Sequence, residues 1–192
     1  MVVLVSQPHA MALAGSTFVG PPAVQAPSAA VQQMPITFRG EPAVASAAAK
    51  PLRIVCYGDS MTVGFCQRGR VFEPYGRTLA KELGAAGLRC EVVTCGLSGM
   101  RADTMAEGLD SGRLTDVMRH SGKGLGRTID EHGPFDLALI MAGTNDMGSH
   151  EAPPKIVESL RRLHSACHRR GVPTVALAPP PIARSAGFEA AR

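Results

Sequence analysis

Four short apolar runs, each closed by glycine or proline and separated by helix-patterned stretches, constrain this chain more than any other feature. The runs span 52–57, 90–94, 135–142 and 172–178, and they end at or near Gly58, Gly96, Gly143 and Pro179. A continuous apolar run of this length fits a strand buried on both faces, as in a parallel sheet, rather than the alternation of a half-wet strand. Between them, 75–86 carries Leu79 and Leu83 four residues apart and meets Gly84 and Gly87. A longer helix is predicted over 154–170, with Ile156, Leu160, Leu163 and Cys167 on one stripe and Gly171 behind it. Strands alternating with helices predict an α/β chain, a three-layer α/β/α sandwich around a parallel sheet. The stretch 97–134 is rich in Gly, Ser and charge and reads as helix and loop.

The first fifty residues are different. They hold 12 Ala and 6 Pro but only three charged side chains, Arg39, Glu41 and Lys50. The prolines remove backbone donors and forbid a long helix, and no sustained alternation suggests a strand. Residues 1–50 are therefore expected to be a disordered leader or linker, with the domain over 52–192. The first 38 residues lack Arg, and the apolar start 1–5 lacks a basic flank, so neither a transit peptide nor a secretory signal is supported. The compartment is not legible, although five cysteines without a CxxC pair read as reduced thiols, as in the cytoplasm.

Twenty basic against 16 acidic residues, spread along the chain, and the absence of Trp exclude an obvious nucleic-acid platform. No run approaches the length of a membrane span. His164 and His168 are four residues apart but have no third partner with metal-ligand spacing, so no metal or cofactor is expected. The glycine-rich 122–126 lacks a preceding strand and the Gly-Lys-Ser/Thr ending, and reads as a flexible loop rather than a phosphate cradle. Arg161, Arg162, Arg169 and Arg170 read as the wet face of their helix.

In an open parallel sheet, ligands bind beyond the carboxyl ends of the strands. Three such ends carry Gly58-Asp59-Ser60, Gly96-Leu97-Ser98-Gly99 and Gly143-Thr144-Asn145-Asp146. One turn offers a hydroxyl nucleophile, one a backbone amide unobstructed by a side chain, and one a neutral carboxamide donor. That set suits acyl transfer, which needs an attacking hydroxyl and donors aimed at an oxyanion. Asp59 and Asp146 read as turn-holding carboxylates, and Ser98 as turn chemistry.

These three turns, in this order, resemble blocks I, II and III of the SGNH (GDSL) hydrolases over roughly 52–181. The resemblance implies the flavodoxin-like fold of that family and an ester hydrolase acting on small lipid, acetyl-sugar or aryl esters. It implies Ser60 as nucleophile, with its own N–H, that of Gly96 and the side chain of Asn145 forming the oxyanion hole. Thr94 stands where block II usually has Asn. The family also places Asp-x-x-His after its last strand, whereas 182–192 contains neither residue. The expectation is thus a domain lacking its last strand and helix, with four of five family strands and an uncovered apolar patch that permits self-association. His150 is the substitute base with the best placement. The alternative is a catalytically silent homologue, or a module that binds esters or glycans without turning them over.

Overall fold

The computed structural model describes residues 34–43 and 50–179. Its main sheet has five strands in the order β1-β5-β2-β8-β9. These are β1 (Ile36–Gly40), β2 (Leu52–Gly58), β5 (Cys90–Gly96), β8 (Leu137–Met141) and β9 (Thr174–Ala176). Two small hairpins stand apart from it, β3 (Phe65–Cys66) with β4 (Val71–Phe72) and β6 (Leu114–Thr115) with β7 (Ser121–Gly122). The helices are α1 (Ser60–Val63), α2 (Tyr75–Ala85), α3 (Ala102–Glu107), α4 (Leu125–His132), α5 (Thr144–Gly148) and α6 (Pro153–His168).

β5, β2, β8 and β9 run parallel, as the apolar runs predict. Alternate side chains of β2 serve opposite layers, because successive Cβ atoms leave opposite faces of a strand. Ile54 and Cys56 pack with Ala80, Leu79 and Leu83 beneath α2. Val55 and Tyr57 pack with Leu125, Ile129, Leu163 and Cys167 from α4 and α6. This is the three-layer sandwich.

Two expectations need correction. The sheet is not wholly parallel, and residues 1–50 do not all stand outside it. β1 pairs antiparallel with β5, Ile36 opposite Thr94 and Gly40 opposite Cys90. Pro35 and Pro42 read as breakers, but they flank an edge strand, where proline costs no ladder bond. Phe38 packs toward α2 under the Arg77 guanidinium, 5.5 Å from the ring centroid. Met34, just before the strand, is 2% exposed and donates its N–H to Ser121 at 2.8 Å. The rest of the proposed leader, 1–33 and 44–49, lies outside the described residues, as does 180–192.

Gly122 to Gly126 is also not a loose loop. Gly124 is the N-cap of α4, and a methyl group there would overlap the carbonyls of Gly108 and Leu109. At the other edge of the sheet, β8 and β9 are covered on one face by α6, and Leu137, Leu139 and Met141 on the α2 side are only half-buried. Val175 beside them is 43% exposed, so among the described residues an apolar strip remains uncovered there.

Candidate active site

The carboxyl ends of three parallel strands finish level. Gly58 is in register with Gly96 on one side and Met141 on the other. Leu97 donates its N–H to Gly58 at 2.8 Å, and Asp59 donates to Met141 at 3.3 Å. The turns that carry Ser60, Gly96 and Asn145 therefore leave the sheet at one height and along one edge.

Asp59 sets the direction of the first turn. Its backbone is extended, and its carboxylate accepts from the Met61 N–H at 2.9 Å, which caps α1 and puts Ser60 in the first helical position. Asp59 is fully buried; burial pushes its carboxyl up, and the Met61 bond pulls it back in part. Ser60 itself is half-buried, and its hydroxyl makes no hydrogen bond to a described residue. Gly64 ends the helix at φ +72°, a conformation that favours glycine.

Packing alone requires glycine at position 96. A Cβ at that position would overlap the backbone of Val63, so the glycine lets α1 sit directly on the end of β5. Thr94 lies inside, fully buried below Gly76 of α2, and does not line the site.

Asn145 lies in the first turn of α5, which follows Gly143 at φ +104°. Its Nδ2 donates to the Met100 carbonyl at 2.9 Å, fixing the carboxamide and leaving one N–H free for a ligand. Asp146, 1% exposed, reaches the same loop: its Oδ2 accepts from the Ala102 N–H at 2.8 Å. A second buried carboxylate holds the other end. Asp116, between β6 and β7, accepts from Ser98 N–H at 3.0 Å through Oδ2 and from Met118 and His120 N–H through Oδ1. The loop from Leu97 to Ala102 is thus stapled at both ends. Arg101 completes the lattice, bonding Ser149, Asp103 and Glu151, and its guanidinium holds the Glu151 carboxyl below the usual range.

Sequence reasoning anticipated the structural parts of Asp59 and Asp146 but missed Asp116 and Arg101. A lone Asp in a turn four residues before His120 signals an Asx-type turn, and only the fold shows what its second oxygen reaches. His150 is exposed at φ +58°, and its ring hydrogen-bonds no described residue. His164 and His168 share the Thr174 hydroxyl, at 2.8 and 2.9 Å, which accounts for the pair without a metal. Among the described residues no group of three metal-ligating side chains converges, and no helix is long and apolar enough to cross a membrane. All five cysteines are free.

The sequence model for the GDSL-like lipase/acylhydrolase family matches residues 56–192, from within β2 through all three turns. The chain belongs to that family. The GDSL fold is also what the solved structures share with it. AlinE4, an SGNH-hydrolase family esterase, superposes with a TM-score of 0.54 at 20% identity, over 70% of this chain and 64% of that one. An inhibitor-bound aryl esterase of M. smegmatis gives 0.51 at 26% identity, over 69% of this chain and 66% of that one. A carbohydrate acetylesterase family member from Sinorhizobium meliloti gives 0.52 at 26%, over 70% and 66%. This GDSL-family chain thus spans about two thirds of the length of these relatives. No curated protein matches it.

Proposed function

We propose that this chain is a serine ester hydrolase acting on small-molecule esters through an acyl-Ser60 intermediate, with no cofactor. The observation that supports the reading is the common level at which β2, β5 and β8 end, with the half-buried Ser60 after the first and the Asn145 carboxamide fixed after the third. Ser60 Oγ attacks the ester carbonyl carbon as its proton passes to a base. The carbonyl oxygen gains the negative charge and is met by the N–H groups of Ser60 and Gly96 and by the free N–H of Asn145. Collapse expels the alcohol, which takes a proton, and water then releases the acid from Ser60. Such donors are effective because they are already in place when the charge develops.

The test is hydrolysis of a short-chain aryl ester by the chain beside Ser60→Ala and Asn145→Ala. Turnover should vanish in Ser60→Ala and fall about 100- to 1000-fold in kcat for Asn145→Ala, the usual cost of one oxyanion donor. The same measurement repeated with His150→Ala asks whether that exposed imidazole is the base. Equal rates for parent and Ser60→Ala, in protein shown to be folded, refute the assignment. The Ser60 hydroxyl, unpaired among the described residues, favours one other reading, a homologue that holds esters without cleaving them, and absence of turnover in the folded parent is its signature.

A further inference from the structure

Arg161, Arg162, Arg169 and Arg170 read alike in the sequence, as the wet face of a helix, but the fold separates them. Arg170 is paired: Asp110 and Asp130 each hold its guanidinium at 2.8 Å. The other three line a groove of about 480 Å³ along α6, together with Glu158, Ser165 and Leu109. None of the three forms an ion pair with a described residue. Glu158 precedes Arg161 and Arg162 by three and four residues, the spacing at which helices form ion pairs, yet it pairs with neither. The groove thus sets three cations against one carboxylate, and none of its residues belongs to the turns at the strand ends.

This is a cleft between two elements rather than a bare helix surface, because its opposite wall, Leu109, comes from the segment between α3 and β6. Arg161, Ser165 and Arg169 follow at four-residue steps, which on a helix sets them in line at intervals of about 6 Å. All three are exposed. Arg162 stands beside that line, and its Nη2 donates to the Ala106 carbonyl at 2.9 Å, in the last turn of α3. That bond orients the guanidinium and leaves its other N–H donors for a ligand. Like charges at this spacing repel one another along a helix, and a bound anion relieves them.

We propose that this groove binds a small phosphate monoester, its phosphate held between Arg161 and Arg169 at the Ser165 hydroxyl, with Arg162 at its side and its organic part against Leu109. The planar fork of a guanidinium matches the oxygens of a phosphate, and a hydroxyl donates to one of them. The volume falls in the range of small-molecule sites, roughly 300–1,000 Å³, and is more than one inorganic ion fills. Glu158 stands in the groove against a run of phosphates, and no aromatic ring lines it for bases to stack on. The inference is independent of the acyl-Ser60 reading.

The probe is phenyl phosphate, followed by backbone amide chemical shifts of the full chain, with phenol and inorganic phosphate titrated alongside. Phenyl phosphate should give saturable shifts at Leu109 and across 161–169, bind more tightly than inorganic phosphate, and leave phenol without effect at the same amides. Arg161→Gln and Arg169→Gln should each weaken binding about three- to tenfold, a modest loss because an open groove is screened by solvent. Both arginines are exposed, so the substitutions leave the fold intact, and a thermal melt checks this. Raising sodium chloride from about 50 to about 500 mM should weaken the parent in the same way. Shifts that do not saturate, an equal response to phenol, affinities unchanged in both variants, or shifts confined to Ser60, Gly96 and Asn145 overturn the inference. Inorganic phosphate binding as tightly as phenyl phosphate overturns the monoester. So does binding of an oligonucleotide or of phosphatidylglycerol vesicles without a response to phenyl phosphate, which would make the face a contact for polyanions or membranes.

Discussion

Removing the Asp146 carboxylate tests whether the stapled loop is held as described. In Asp146→Ala the Ala102 N–H, on a fully buried residue, loses its 2.8 Å acceptor. A hydrogen bond to a charged group contributes about 1.5–3 kcal/mol, and a buried donor left unpaired costs a similar amount. The 3.9 Å contact with Arg101 adds little, because that guanidinium is partly exposed and bonded elsewhere. One effect opposes these: after burial, the negative charge of Asp146 is among the causes that raise the Asp59 carboxyl, and its removal relieves that repulsion. The net expectation is a loss of about 2 kcal/mol, or about 6 °C in Tm for a chain of this size. Asp146→Asn keeps an acceptor for Ala102 and should lose about 1 kcal/mol or less. Urea unfolding of the two variants and the parent at pH 7 measures both differences. A loss under about 0.5 kcal/mol in Asp146→Ala refutes the staple. Equal losses in the two variants show that the charge, not the accepted hydrogen bond, is what matters.

Two further outcomes follow from buried groups. Asp59 has a folded-state pKa raised by burial, so the folded chain binds its proton more readily than the unfolded chain, whose carboxyl keeps its ordinary 3.8. Its contribution is therefore most favourable below that value and is lost as pH rises through the raised pKa. Asn caps a helix about as well as Asp. Asp59→Asn should thus equal or exceed the parent in stability at pH 7, with the gap closing toward pH 4; a parent clearly more stable at pH 7 contradicts this. Among the thiols, burial pushes Cys56 up to about 12 and Cys95 and Cys167 to about 11, and it raises Cys90 as well. Only Cys66 is half-exposed, so an aromatic disulfide reagent at pH 8 should label one thiol quickly in the folded chain and the rest only on unfolding. Rapid labelling of two or more would show that the core opens readily.

The sequence made the sheet legible where burial on both faces leaves a run of apolar residues, as in Leu52–Gly58 and Cys90–Gly96. It marked the candidate site because each of three strands ends in a glycine-bearing turn with one chemically distinctive residue. β1 was hidden because an edge strand needs only one partner, and a five-residue segment between prolines shows no long pattern. The β6–β7 hairpin was hidden for a related reason. Two-residue strands have no periodicity, and this hairpin is organised by Asp116, whose second acceptor bond crosses to Ser98. The packing requirement for a glycine at 96 was not legible, because the neighbour that demands it, Val63, lies on another element.

The antiparallel edge strand has a consequence for the order in which the molecule is assembled. β1 leaves the ribosome first among the described elements, yet its partner among them, β5, begins at Cys90, fifty residues after Gly40. At about 5–20 residues per second, synthesis leaves β1 unpaired for several seconds. During that interval β2 has neither neighbour in place, and the α2 layer has only part of its floor. When β5 emerges it serves as partner to β1 on one side and β2 on the other, while β8 and β9 are still to be made. An expression clone begun at Leu52 would delete β1, along with the Met34 anchor under the β6–β7 hairpin. It would leave the outer ladder groups of β5 free to recruit a strand from another molecule, so such a shortened chain is expected to aggregate as it is made.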